Sequence, residues 1–71
     1  MKLLSDIDSL FLFFADKDTK RYQLNETSKI IETTDLVAGG YFVRVLVGNK
    51  DGWETLGVMS EQDVIEWVEA Q

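Results

Sequence analysis

Apolar residues at Leu3, Leu4, Ile7, Leu10, Phe11 and Phe14 recur at spacings of three and four, which places them on one face of a helix. Ser5, followed three residues later by Asp8, supplies a hydroxyl and a carboxylate able to satisfy free backbone N–H groups at a helix start. The helix therefore begins near Lys2 or is capped at Ser5. The same stretch admits a second reading, because Leu-Phe-Leu-Phe-Phe is a continuous apolar run. A strand from Leu10 to Ala15 would turn at Asp16-Lys17-Asp18-Thr19 into Arg21–Leu24. The run of matches to the 3.6 period favours the helix.

Beyond it, Asp16–Lys20 is polar and reads as a turn. Lys20–Leu24 is a short candidate strand with Tyr22 and Leu24 on one face. Lys29–Thr34 is a second, rich in β-branched residues. Asp35–Ala38 fits one helical turn closed by Gly39-Gly40, where the backbone freedom of glycine allows a left-handed cap or sharp turn. Tyr41–Val47 and Trp53–Val58 flank Gly48-Asn49-Lys50-Asp51-Gly52, a five-residue loop between β-rich runs that signals a hairpin. Tyr41, Val43, Val45 and Val47 share one face of the first arm, and Phe42, Arg44 and Leu46 share the other. Both faces are largely apolar, so this strand is expected to be central and covered on both sides. Arg44 breaks the pattern and must reach an edge or an acidic partner.

The chain closes on a helix. Ser60 caps it, Asp63 sits at its third position, and Met59 can pack on Val64 as a hydrophobic staple. Val64, Ile65, Trp67 and Val68 form the inward stripe; Gln62, Glu66 and Glu69 form the outward one. Together these elements predict an α+β fold as a single small domain spanning residues 1–71. It has a three- to four-stranded antiparallel sheet, with an N-terminal and a C-terminal helix packed on it.

At 71 residues the chain buries only about 60% of its extended surface on folding. With no Cys and no His it has no disulfide or zinc site to staple it. Apolar packing must supply its stability, shared in part with another copy or a partner. No apolar run approaches the roughly 20 residues of a membrane span. Asp6 and Asp8 interrupt any signal-peptide core. A cytoplasmic location is the expectation, the host cytoplasm if the protein is viral.

Charge adds a direction. Residues 1–50 balance seven acids against seven bases, whereas residues 51–71 carry Asp51, Glu54, Glu61, Asp63, Glu66 and Glu69 with no base. The formal charge of −6 therefore belongs to the last 21 residues. Such a field repels nucleic acid and membrane surfaces and attracts basic protein patches. The plainer account is that it keeps a small chain soluble. Glu66 and Glu69 fall in the last turns of the final helix, where the macrodipole favours cations, and no Lys follows at i+4 to relieve them. That is either a tolerated surface cost, relieved across space by Lys29 or Arg44, or a face shaped for a basic site on another macromolecule.

Catalytic chemistry finds little to work with. General acid–base catalysis most often recruits His, and covalent catalysis often recruits Cys. Asp16-Lys17-Asp18 begins like a calcium loop, but Arg21 stands where the sixth-place glycine belongs and Thr27 where the twelfth-place Glu belongs. The glycines match neither a P-loop nor a dinucleotide fingerprint. The expectation is a protein that is not an enzyme and takes no cofactor or metal. Two apolar features point to contacts instead. In a helical reading Leu12 and Phe13 fall away from the main face, which calls for cover from a second subunit or a target. Trp53, beside the hairpin loop, is either a lid on the core or an anchor for a partner.

The N-terminal helix, the Tyr41–Val58 hairpin and the capped acidic helix Ser60-Glu61-Gln62-Asp63-Val64-Ile65-Glu66-Trp67 form a layout that resembles small acidic phage-encoded inhibitors of the anti-CRISPR and anti-restriction kind. The resemblance spans the chain in outline and rests on no specific motif. It implies occupation of a nucleic-acid or substrate site on a host protein, some such inhibitors spacing carboxylates like DNA phosphates. Because half of this chain is neutral, the implied mimicry covers a short patch and not a long duplex. The resulting expectation is a non-catalytic protein-binding module, an inhibitor that meets a basic protein surface and makes no direct contact with nucleic acid or membrane. Its binding residues are Asp51, Trp53, Glu54, Glu61, Asp63, Glu66 and Glu69. The alternative is a structural or accessory subunit that forms a homo-oligomer through an apolar surface at Leu12 and Phe13.

Overall fold

From residue 10 to residue 59 the chain runs as a meander, each strand pairing antiparallel with the next. A computed structural model describes residues 3–24, 28–48 and 52–71. Its strands are β1 (Leu10–Ala15), β2 (Thr19–Leu24), β3 (Lys29–Asp35), β4 (Tyr41–Val47) and β5 (Glu54–Met59), in the order β1-β2-β3-β4-β5 across one sheet. The helix α1 (Glu61–Glu69) follows β5 after the single residue Ser60. The fold is α+β, as the sequence predicts, but with five strands in place of three or four.

Alternation decides which face is covered. Tyr22 and Leu24 of β2, Ile31 and Thr33 of β3, and Val43 and Val45 of β4 are all buried, and Ile31 pairs with both Tyr22 and Val45. These side chains meet Val64, Ile65 and Val68 of α1 and, from the N-terminal segment, Leu4 and Ile7. The helix starts as predicted, with Ser60 Oγ accepting from the Asp63 N–H at 3.1 Å. Such a cap satisfies one of the donors that a first turn leaves free. Trp67 and Met59 pack partly buried against the same core.

The N-terminal helix is not formed. Leu4–Asp6 make one 3-10 turn, and Leu10–Ala15 form the edge strand β1. The cap predicted at Ser5 does not apply, since the turn begins after Leu3, whose N–H donates to Asp6 Oδ2 at 2.8 Å, and the alternative start at Lys2 lies outside the described residues. The physical reason lies at both ends of the run. Aromatic and branched side chains without a polar face suit a pleated strand, and β2 offers a partner only three residues away. The Asp16 N–H donates to the Thr19 carbonyl at 2.7 Å and closes that hairpin. Leu4 and Ile7 keep the inward positions the helical period gave them, using one turn of backbone instead of three.

Two smaller expectations are also revised. Asp35 ends β3 and is not the start of a helical turn. The connection to β4 is a turn in which Gly39 N–H donates to the Leu36 carbonyl at 2.9 Å and Leu36 N–H to the Gly40 carbonyl at 3.1 Å. Gly40 has a φ of 79°, and a side chain there would meet the Met59 carbonyl at 3.1 Å, so glycine is required. The strand β4 is interior but fully buried on one side only: Val43 and Val45 are buried, whereas Phe42, Arg44 and Leu46 on the other face are half-buried. In the predicted hairpin loop, residues 49–51 lie outside the described residues, and so does the binding residue Asp51.

Candidate functional site

Two surfaces carry chemistry, and the sheet separates them. The first is the outer side of α1. Asp63, Glu66 and Glu69 are exposed, the first turn holds Glu61 and Asp63, and the last turn holds no basic residue. Glu61 is half-buried and in part structural, since its Oε2 accepts the Leu4 N–H at 3.1 Å and ties the N-terminal turn to the helix. Glu61 also walls a shallow cleft of about 370 Å³ with Asp35, Tyr41, Ser60 and the Leu36–Gly40 turn. Burial pushes the Tyr41 hydroxyl above its ordinary pKa, and the Glu61 and Asp35 carboxylates push it further. The cleft is therefore acidic, and Ser60, the cap of α1, lines it. At the far end of α1, Lys29 hydrogen-bonds the Gln71 side chain and its ammonium lies 6.0 Å from the Trp67 ring.

The second surface is the sheet face away from α1. Glu32, although 5% exposed, faces that side with Arg21 and Arg44 from the two flanking strands. Arg21 Nε donates to Glu32 Oε2 at 2.9 Å, and Arg44 donates to Oε1 through Nε at 2.8 Å and Nη2 at 2.7 Å. Burial raises the Glu32 carboxyl, but the two arginine hydrogen bonds and charges together outweigh it and hold the group below the usual carboxylate range. Trp53 covers this cluster, its ring 4.7 Å from Arg44 Cζ and 5.5 Å from Arg21 Cζ, and Phe14 stacks on Arg21 at 5.2 Å. Such contacts favour guanidinium over aromatic faces.

The predicted binding residues are thus divided. Glu61, Asp63, Glu66 and Glu69 share α1. Glu54 is exposed on the edge strand β5, paired in register with Val45. Trp53 sits on the opposite side of the sheet from the helix, on two arginines, and is neither a core lid nor a neighbour of the helical carboxylates. Arg44 likewise relieves Glu32 and not the helix end. Leu12 and Phe13 are each 47% exposed, now on a strand. The Arg21–Glu32–Arg44 cluster was missed as a unit. Its signal was Arg44 among apolar neighbours and Glu32 in a β-branched run, which only the pairing register brings side by side. Asp35 as a wall of the cleft was missed as well.

Among the described residues, no group of three or more acidic side chains is placed to hold a metal ion, and no helix is long and apolar enough to cross a membrane. Compared with protein-family models, with curated proteins and with solved structures, the chain gives no match. What defines it is its own architecture: an α+β sheet-and-helix domain with an acidic helical face on one side and arginine–aromatic stacks on the other.

Proposed function

We propose that the protein is a non-catalytic protein-binding module that uses its acidic face to block a basic, nucleic-acid-binding site on another protein, as a small phage or mobile-element inhibitor does. The observation that carries this reading is the concentration of carboxylates on and beside α1: Asp35 and Glu61 wall the cleft at the start of the helix, and Asp63, Glu66 and Glu69 are exposed along it. A Lys or Arg of a partner entering the cleft would find two carboxylates and the half-buried Tyr41 beside them. A basic surface meeting the helix would relieve carboxylates that the macrodipole disfavours.

The test is capture of partners from a host lysate at low and high salt. The wild type is compared with the triple variant Asp63→Asn, Glu66→Gln, Glu69→Gln, which leaves the structural Glu61 in place. A basic protein retained by the wild type at low salt, released at high salt and lost in the variant is the expected result. A partner that binds both forms equally, with no salt dependence, would refute the acidic face as the binding surface.

A further inference from the structure

We infer that β1 pairs antiparallel with β1 of a second copy of this chain across a two-fold axis, joining two five-stranded sheets into one. The inference rests on the edge strand and not on the acidic helix, so it stands or falls independently of the inhibitor reading.

The edge itself is the first observation. Leu10–Ala15 contains no charge, no Pro and no Gly, and among the described residues β1 has β2 on one side and no strand on the other. Its outer backbone groups form a template for another strand, a hazard that sheet edges usually blunt with charge, proline or cover. Among the described residues the one such device is a bulge between Leu12 and Phe14. Four consecutive large side chains stand open: Phe11 at 61%, Leu12 and Phe13 at 47% each, and Phe14 at 42%. Leu12 pairs with the buried Tyr22 and so lies towards the α1 side, whereas Phe14 pairs with Arg21 on the other. A strand added alongside β1 therefore finds apolar side chains on both sheet faces.

That two-sided pattern identifies the occupant. The partner strand must itself be apolar on both faces, and β1 meets that requirement. A two-fold axis lets one sequence satisfy both halves of the interface. Charge opposes any self-association, and β1 is where it opposes least. Two copies with a formal charge of −6 repel one another, and β1 brings them together along an uncharged stretch, at the sheet edge farthest from β5. The opposite edge does not propagate the assembly: β5 has Glu54, a bulge opposite Val43 and Arg44, and Gly57 at φ 103°. The pairing therefore closes at a dimer. Its open apolar surface is about 400 Å² per copy, given 150–250 Å² for a whole aromatic side chain. Two copies together thus bury less than the 1,200 Å² or so of a stable complex, so the dimer is weak and forms only at high protein concentration.

Sedimentation velocity and light scattering from about 10 µM to about 1 mM, at about 0.05 M and about 0.5 M salt, test this. The expected result is a monomer–dimer equilibrium that tightens with salt, because screening removes the repulsion between acidic copies. Leu12→Lys and Phe13→Lys should each weaken it at least about tenfold, even though each lowers the net negative charge. Hydrogen exchange on the wild type supplies a second reading that needs no variant: β1 amides should gain protection as concentration rises. A wild type that stays monomeric throughout overturns the inference, as does a dimer that survives both lysine variants or leaves β1 exchange unchanged.

Discussion

At the scale of single residues, Glu32 is held from two sides. It accepts hydrogen bonds from arginines on both neighbouring strands, and its side chain is 6% exposed against 39% and 33% for theirs. Removing its charge leaves two guanidinium groups facing each other across β3. Glu32→Gln should cost about 1–2 kcal/mol, less than a fully buried pair because the arginine ends are solvated. Chemical denaturation measures it. The pH dependence follows from the lowered carboxyl. A group held below its unfolded value contributes its full stability above that value and loses it as pH falls through the folded one. The gap between wild type and Glu32→Gln should therefore be constant near neutrality and close below about pH 4.5. An unchanged gap at pH 3 would show that Glu32 acts by shape and not charge. Only half of this was legible beforehand. Arg44 stood out because it interrupts an apolar strand, but its partner lies twelve residues away and only the β3–β4 register supplies it.

Elements were readable where one signal dominated, and misread where two periods overlapped. The helix α1 combines a cap, an inward stripe and a polar outer face, all pointing to the same structure. Ser60→Ala should cost about 1 kcal/mol through loss of the hydrogen bond to Asp63, seen as a lower denaturation midpoint with an unchanged slope. The segment 3–15 carried a helical period across its whole length and a strand-like apolar run in its second half. Local pattern could not weigh the hydrogen bonds that β2 provides, and those decided the outcome. The bulge in β5 was invisible for a related reason, since Gly57 looks like any glycine in a strand. Its φ of 103° is a conformation that side chains rarely adopt, with open space around it. Gly57→Ala should therefore destabilise by about 1 kcal/mol through backbone strain alone. A neutral result in the same denaturation assay would mean the bulge can slide to another residue.

For the molecule as a whole, the accessible surface of 4753 Å² slightly exceeds the roughly 4,500 Å² expected at this mass. The surplus is consistent with one sheet face left without a second layer. The charge asymmetry, plain in the sequence, becomes a division of space: carboxylates on the helix side, guanidinium groups stacked on Trp53 and Phe14 on the other. What the sequence could not show was that Trp53 and the helical acids face opposite ways, so no single flat partner can touch both. This separation gives a test of whether α1 is shaped by stability or by binding. Glu66 is exposed near the negative end of the helix dipole, in a helix whose last turn has no base. Glu66→Lys places a cation where the dipole favours one and lowers the net charge, so its denaturation midpoint should rise at low salt. If the acidic face serves a basic partner, the same substitution should weaken capture of that partner. Trp53→Ala, on the far side of the sheet, should leave capture unchanged. A variant more stable and equally good at binding would place the functional surface elsewhere, and the open sheet face would be the region left to examine.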